Sequence, residues 1–348
     1  MIVDQRTMYY ARLALRKAVR DHLFDRNINL IDFGNPFRDG AVLENDLAIR
    51  VHVYERFSPI ELEVAEARGL TKEVPQRIDG FETNVIEATY RPNRNRFQFR
   101  ISTTNPRMVR SDPLRGGMSI SDERHNLFGT LGCRVIDRAT GEEMLLSNWH
   151  VLVVDWFARS GQRIFQPGRR NGGTFHDTVA TLVRDAMSLN LDAAVARLNG
   201  TRRFVNDQIE LGPIRGVGRP EIGMAVKKSG CATNVTHGRV TAIEGTAKLT
   251  YAFVQKMIRN VITIQPLPLS NEVSGPGDSG SVWVNEKTME AIALHFAGSN
   301  FPEIALAMDM RSILDALSVD IDTEVEAVTE ARVRSAVSGR QPRELVMA

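Results

Sequence analysis

The chain has 348 residues, enough for more than one domain, and its 43% hydrophobic and 25% charged residues are typical of a soluble globular protein. A formal net charge of only +2, with both signs interspersed along the chain, disfavours nucleic acid as the main partner. The N-terminal sequence mixes acids and arginines without an apolar core, so it is not predicted to be a secretory signal, and the apolar runs are too short to cross a membrane. We therefore expect a cytoplasmic protein without a membrane partner.

The start of the chain predicts a small α+β unit. Residues 8–24 have apolar side chains spaced three and four apart, which is typical of an amphipathic helix. Residues 47–55 alternate apolar and polar side chains and are predicted to form a strand, as are residues 83–90. Across 91–117 the chain is rich in Arg, Asn, Pro and Gly, which indicates a linker or a wrapping arm. We expect residues 1–110 to form this N-terminal appendage and much of its arm.

A second helix is predicted over residues 58–69 from its end signals. Ser58 is a good N-cap, Pro59 suits the first helical position, and Glu61 stands three residues after the cap, as in a capping box. Gly69 provides the stop.

Beyond the arm the pattern changes to short apolar runs that recur about every ten residues and are separated by Gly, Asn and Asp. That rhythm predicts an all-β barrel or sandwich. The sequence becomes helical again at 309–318 and at about 321–337, so residues 319–348 are predicted to form a helical tail.

The stretch SGPGDSGSVWV places Ser279 on a sharply bent backbone just before a strand. A serine hydroxyl is a weak nucleophile at neutral pH and needs a base, a group that orients the base, and donors for an oxyanion. Gly275 and Gly277 let the backbone turn so that the amides of Gly277 and Ser279 point at one spot, and Gly280 leaves space beyond the serine. The pattern indicates an acyl-transfer site; a Gly/Ser surface turn before a strand is the alternative.

A base and an orienting acid for this serine occur upstream. His150, in LLSNWHVLV, lies between two apolar runs and is predicted to stand at the rim of a barrel; a lone core or surface histidine is the alternative. Asp192 begins LDAAVARL, where small residues leave room for it to lie against an imidazole, although a strand-starting turn gives the same pattern. Asp155, Asp177 and Asp185 also follow His150. Asp177 is the strongest rival because it too precedes a strand.

These three motifs, LSNWHVL, LDAAVARL and GPGDSGS, occur in the order His, Asp, Ser and resemble the triad motifs of chymotrypsin-fold (trypsin-like) serine proteases. The segment 226–243 resembles the corresponding part of bacterial trypsin-like proteases, with Cys231 in place of the usual Arg. Over about 30–318 the motifs LAIRVHV, DPLRGGMSIS and ALHFAGS are similar to those of bacterial trypsin-like proteins of the plant Narrow leaf 1 type.

The resemblance implies a mainly β fold, namely a double six-stranded antiparallel β-barrel of the chymotrypsin-like type with an N-terminal α+β appendage and C-terminal helices. It implies that a first barrel over 111–200 carries the histidine and the aspartate. A second barrel over 201–318 would carry the serine.

Carried over to this sequence, the resemblance implies that Ser279 is the nucleophile, His150 the general base and Asp192 the residue that orients the imidazole. The amides of Gly277 and Ser279 would form the oxyanion hole. Asp278 would anchor this loop through an ion pair. Since no propeptide boundary is visible, we expect an internal partner for Asp278 and no activating cleavage.

The resemblance also suggests a primary specificity pocket. The residue six positions before the serine is Val273, so a trypsin-like preference for Arg or Lys lacks its carboxylate. His295 and Ser274 match pocket positions of glutamate-specific bacterial endopeptidases, and an imidazole with a hydroxyl can hold a carboxylate. We predict cleavage after Glu or Asp; a histidine packed within its strand is the alternative.

No cofactor or metal is expected. The sequence GVGRPEIG lacks the strand-to-helix context of a dinucleotide site, and the seven histidines form neither an HExxH motif nor a Cys/His cluster. The two cysteines, Cys133 and Cys231, are expected to be reduced thiols, although the sequence leaves a bridge between them open.

Three functions follow from these features. The first is an intracellular serine endopeptidase acting on proteins or peptides. The second is a catalytically weak or inactive binding or scaffold protein on a protease fold, in which Trp149 or the arm blocks the site. The third is restricted self-processing, in which the chain cuts its own arm. Tyr9, Tyr10 and Leu13 on the first helix pack either on the barrel or on another copy of the chain, so a homo-oligomer is one predicted outcome.

Overall fold

A computed structural model describes residues 3–92, 105–267 and 272–324 of the chain, which form a mainly β structure. Its N-terminal elements are α1 (Gln5–His22), β1 (Ile28–Gly34), β2 (Phe37–Arg38), β3 (Ala41–Val42), β4 (Ala48–Val53), α2 (Pro59–Ala67), β5 (Arg77–Ile78), β6 (Phe81–Glu87) and β7 (Arg91–Pro92). The middle part contains β8 (Leu114–Gly116), β9 (Ser119–Asp122), β10 (Gly129–Thr130), β11 (Cys133–Asp137), β12 (Glu143–Ser147), α3 (Trp149–Leu152), β13 (Arg163–Phe165), β14 (Thr178–Asp185), β15 (Ala194–Leu198) and β16 (Phe204–Gln208).

The remaining elements are β17 (Gly216–Val217), β18 (Ala225–Gly230), β19 (Asn234–Tyr251), β20 (Val254–Pro266), β21 (Val282–Asn285), β22 (Glu290–Asn300), β23 (Glu303–Asp309), α4 (Met310–Leu317) and β24 (Val319–Ile321). Single-turn 3-10 helices occupy Arg169–Asn171, Phe175–Asp177 and Met187–Leu189. Within the described ranges, no helix is both long and apolar enough to span a membrane.

The first barrel is a ring of six antiparallel strands in the order β9, β13, β14, β15, β12 and β11. The short strand β10 pairs with β9 on its other side. Only Leu131 and Gly132 separate β10 from β11, so the two form one bent strand that closes the ring. A Cβ at Gly132 would lie 2.7 Å from the carbonyl oxygens of Leu146 and Gly280, which is why the bend takes a glycine.

The second barrel is a ring of six antiparallel strands in the order β18, β21, β22, β23, β20 and β19, which is closed because β18 also pairs with β19. The predicted double-barrel fold class is thus confirmed, with further strands added to both rings. The two cysteines, one in each barrel region, are both free thiols and are buried. The bridge that the sequence left open is therefore not formed.

The N-terminal strands extend the sheet of the second barrel. Strand β1 pairs antiparallel with both β19 and β4, and β4 pairs in parallel with β6. Asp32 of β1 accepts hydrogen bonds from Arg50 Nη2 of β4 and from Thr263 Oγ1 of β20, both at 2.6 Å. The three side chains are buried. The appendage is therefore joined to the barrel by backbone pairing and by a buried polar cluster.

Three of the predicted local elements are confirmed. Helix α1 begins at Gln5, earlier than predicted, because Asp4 caps it by accepting from the Thr7 amide at 2.9 Å. Helix α2 has the predicted capping box between Ser58 and Glu61. Helix α4 lies within the predicted 309–318.

The predicted helical tail is wrong at its start. Residues 319–321 form strand β24, which pairs antiparallel with β11 and adds to the first barrel. The pairing is favoured because Val319 and Ile321 then point into the apolar core while Asp320 stays exposed. The rest of the predicted tail, from residue 325, lies outside the described residues.

Candidate active site

His150 stands on the single-turn helix α3, where the chain leaves strand β12 of the first barrel. Its Nδ1 lies 2.5 Å from Asp192 Oδ2, and its backbone N–H donates to Asp192 Oδ1 at 3.0 Å. Asn148 supports the pair because its Nδ2 donates to the carbonyl oxygen of Asp192 at 2.7 Å. Since an ionised carboxylate only accepts, this arrangement places the proton of a neutral imidazole on Nδ1 and leaves Nε2 as an acceptor.

The rival acids are occupied elsewhere. Asp177 caps its own 3-10 helix and lies 3.3 Å from Arg110. Asp155 contacts Arg124 at 3.3 Å, and Asp185 accepts from the amide of Met187 at 2.9 Å. The structure therefore pairs His150 with the acid that the sequence favoured.

Ser279 reaches the same region from the second barrel. Its carbonyl oxygen accepts from the Thr130 amide of the first barrel at 2.7 Å. A Cβ on the next residue, Gly280, would lie 2.1 Å from Ser147 Oγ, and Ser147 is three residues before His150. The backbone at Ser279 and Gly280 therefore packs closely against the end of β12, the strand that leads to His150.

The hydroxyl of Ser279 and Nε2 of His150 are both buried, and neither has a hydrogen-bond partner within the described part of the chain. The hydrogen bond that a serine nucleophile shares with its general base is therefore not formed in this structure. Such bonds are often long in substrate-free enzymes and tighten only when substrate binds.

The loop before the serine bends sharply at Gly277. Gly277 has φ +108°, and a Cβ there would lie 2.4 Å from Phe128 Cε2, so only glycine fits. Its carbonyl oxygen accepts from Thr130 Oγ1 at 2.8 Å and from Cys231 Sγ at 3.1 Å, which turns it away from the site. Neither the Gly277 amide nor the Ser279 amide donates a hydrogen bond to another described residue.

Asp278 fixes this loop from inside the second barrel. Its Oδ2 lies 2.7 Å from Lys228 Nζ and accepts from Thr233 Oγ1 at 2.5 Å and from the Gly275 amide at 3.0 Å. Burial alone would raise the pKa of Asp278, but the Lys228 ammonium and these hydrogen bonds outweigh it and lower the pKa to about 2. The expectation of an internal partner is confirmed, and the partner is Lys228.

The predicted pocket residues are all buried. Val273 packs into the core of the second barrel, next to Gly238. His295 is fully buried in β22, and burial, together with the nearby Lys228 ammonium, lowers its pKa to about 3. The imidazole is therefore neutral at neutral pH.

Sequence reasoning missed Glu303. Its Oε1 accepts from the backbone amides of Val273 and Ser274, at 3.0 and 3.4 Å, so a carboxylate lies against two of the predicted pocket residues. No local signal marks Glu303, because it is the first residue of β23 and reaches the loop only through the closure of the barrel.

Trp149, the predicted blocking residue, lies in the core beside His150. Its ring packs against Trp156, with centroids 4.6 Å apart, and edge-on against Tyr251 at 6.1 Å. Tyr251 comes from the long hairpin of β19 and β20, and its ring lies 6.1 Å from that of His150. Of these three rings, Tyr251 is the one that lies beside the His150 imidazole.

No family model matches the chain, and no curated protein matches it. Among solved structures it is similar to Thermobifida fusca protease A, with 14% identity over 61% of this chain and 100% of that chain, and a TM-score of 0.46. It is also similar to a Cellulomonas bogoriensis chymotrypsin, with 18% identity over 61% and 100% of the two chains and a TM-score of 0.44. A glutamic acid specific serine protease shows 19% identity over 60% and 100%, with a TM-score of 0.46. Each likeness concerns the fold alone.

Proposed function

We propose that the protein is a serine endopeptidase that cleaves peptide bonds through Ser279, His150 and Asp192. The observation that carries the proposal is the double hydrogen bond between His150 and Asp192, formed where the two barrels meet and where the Ser279 backbone is fixed. A structural histidine needs no carboxylate that binds both its ring and its amide, whereas a general base needs its tautomer and orientation held.

In the proposed reaction, Ser279 Oγ attacks the carbonyl carbon of the peptide while His150 Nε2 takes the hydroxyl proton. The carbonyl oxygen becomes an oxyanion that the amides of Gly277 and Ser279 receive. Collapse of this intermediate breaks the C–N bond, and the imidazolium gives its proton to the leaving amine. Water then attacks the acyl-enzyme by the same route and releases the acid and free Ser279. Asp192 stabilises the imidazolium in both halves.

The predicted preference for Glu or Asp depends on the His295 imidazole and the Ser274 hydroxyl, and an acidic side chain would bind more tightly to a protonated imidazole. His295 is neutral at neutral pH, and Glu303 adds a carboxylate next to Ser274. Both features oppose an acidic side chain. Matched peptides that differ only in Glu, Gln or Arg before the cleaved bond test the preference directly, and faster cleavage of the Glu peptide would support it.

The burial of the site favours the second candidate, a binding or scaffold protein. Ser279 is 1% exposed and His150 3% exposed, and their side chains are not hydrogen-bonded to each other. A fluorophosphonate probe separates the two candidates, because it labels only an activated serine. We expect Ser279 to be labelled in the natural protein and labelling to be lost in H150A and S279A.

The control for this experiment is H237A. The His237 side chain is 43% exposed and binds Glu286 on the surface, so its loss should leave labelling unchanged. A folded natural protein whose Ser279 does not react over hours would contradict the endopeptidase and favour the scaffold. Intact-mass analysis of the same stored samples tests self-processing.

A further inference from the structure

One edge of strand β22 loses its pairing with β21 next to the candidate nucleophile. Strand β21 pairs with β22 only as far as Val282 opposite Leu294. Beyond that pair, the His295 amide donates to the Ser281 carbonyl oxygen and the Gly280 amide donates to the His295 carbonyl oxygen, both at 2.9 Å. Beyond His295, β22 continues to Asn300 with β23 on its other side. A peptide that paired with β22 beyond His295, on the side where β21 ends, would therefore lie in line with β21 and point at Ser279.

In this structure the chain's own strand β7 lies on that edge. Arg91 is opposite Gly298 and Pro92 is opposite Ala297, in antiparallel register. The N-to-C direction of β7 therefore runs from Gly298 towards His295, which is towards the serine. Extended peptides add to open sheet edges through main-chain hydrogen bonds, and one that runs in this direction would present its next peptide bonds to Ser279.

The surroundings of β7 suggest that this strand can leave the edge of β22. We call β7 in this position the cover. A cleft of about 440 Å³ lies beside it and is shared between the N-terminal segment and the barrel, with Tyr54 and Glu87 on one wall and Pro276 and Phe301 on the other. The segment is held just before β7, where the Tyr90 hydroxyl lies 2.7 Å from His52 Nδ1 inside the sheet. Pro92, within β7, has no N–H to donate to a ladder.

We propose that β7 is a built-in competitor for the substrate-binding edge of β22, and that an extended peptide must displace it before cleavage. The proposal rests on the proposed endopeptidase function. Among the described residues, β7 pairs with β22 at two positions, so we expect its displacement to need no unfolding of the N-terminal segment.

A redox lock tests the proposal. Residues directly opposite each other on antiparallel strands are close enough for a disulfide, so Arg91→Cys with Gly298→Cys can tie β7 to the edge. We expect oxidation to lower the kcat/KM for an extended peptide at least tenfold and reduction to restore it. The native thiols do not interfere, because burial raises the pKa of Cys133 and of Cys231 to about 12.

The matched control is Arg77→Cys with Glu82→Cys, which ties β5 to β6 at another directly opposed pair. Oxidation of this variant should leave cleavage unchanged. Equal cleavage by the oxidised and reduced 91–298 lock, with the bridge verified by intact mass, would overturn the proposal.

A second variant works in the opposite sense and needs no bridge. Arg91→Pro removes the amide opposite Gly298 and should raise peptide cleavage several-fold relative to the natural protein. Unchanged cleavage in R91P would also overturn the proposal. Fluorophosphonate labelling of Ser279 is measured in every sample. Its absence from all of them refutes the endopeptidase itself, whereas labelling without any effect of the lock or of R91P refutes only the role of β7.

Discussion

The buried ion pair behind the oxyanion loop gives the sharpest test of how this site is built. Lys228 and Asp278 are both fully buried and 2.7 Å apart, and Asp278 also holds Thr233 and Gly275 in place. The substitution Lys228→Met keeps the length of the side chain and removes the charge. It leaves Asp278 as a buried carboxylate without its cation, which is the costly way to break such a pair.

The expected cost at pH 7 is about 3–5 kcal/mol of unfolding free energy, the usual range for losing one partner of a buried pair. The pKa of Asp278 gives a second, independent value for the contribution of this carboxylate to stability. Its lowering from 3.8 to about 2 corresponds to about 2 kcal/mol of stability. Because the folded-state pKa lies below the unfolded one, this contribution is present above about pH 4 and is lost as the pH falls through about 2.

In K228M we expect the shift of the Asp278 pKa to change direction. Burial then acts without the ammonium and raises the pKa of Asp278 above its ordinary value, so the folded state prefers the protonated acid. The difference in stability between the natural protein and K228M should therefore be largest at pH 7 and should shrink towards pH 4. The loop would also loosen, so we expect slower fluorophosphonate labelling of Ser279 at neutral pH.

Urea unfolding followed by tryptophan fluorescence measures the difference, since Lys228 Nζ lies 5.5 Å from the centre of the Trp283 ring. The control is Lys17→Met, which breaks an exposed pair with Asp79, with side chains 47% and 42% accessible, and should cost less than about 1 kcal/mol. A K228M cost no larger than that of K17M, or one that stays constant between pH 7 and pH 4, would show that the buried pair does not stabilise the fold in this way.

Two further outcomes are expected. Gly277→Ala forces a Cβ to within 2.4 Å of Phe128 at a positive φ and should slow labelling of Ser279 at least 100-fold. Gly200→Ala, which also has positive φ but open space around it, should label normally, and equal labelling of the two variants would show that the loop geometry is unimportant. A thiol reagent should modify neither Cys133 nor Cys231 until the protein unfolds, because burial raises both pKa values to about 12; rapid native-state modification of either would contradict this.

The candidate triad could be predicted because each member lies in a short motif with a local meaning, such as a strand end or a glycine-rich turn. The choice between Asp192 and Asp177 was harder, since both precede strands. The contact that favours Asp192 joins residues 42 positions apart in the chain, so no local pattern shows it. Glu303 was not predictable by such means, because a strand-starting glutamate has no local signature and acquires its contacts only when the barrel closes.

Strand β4 shows more clearly that a local sequence pattern does not determine which side chains are buried. Its alternation of apolar and polar residues predicts one exposed face, yet all six of its residues are buried. The reason is that Arg50 and His52 meet the Asp32 carboxylate of β1 inside the sheet, at 2.6 Å for Arg50 Nη2 and 3.4 Å for His52 Nε2. Alternation reports polarity, and only the partner strand decides whether a polar side chain faces water or a buried counter-charge.

This burial also determines how the cover can be studied. Deleting the N-terminal segment would remove β7, but it would also strip β1 from β19 and take Asp32 away from Thr263 within the second barrel. Loss of activity in such a truncation would then report damage to the barrel that carries Ser279, whatever β7 does. The lock at residues 91 and 298 and the R91P variant change only the contact between β7 and β22, so they separate the position of β7 from the integrity of the sheet on which it lies.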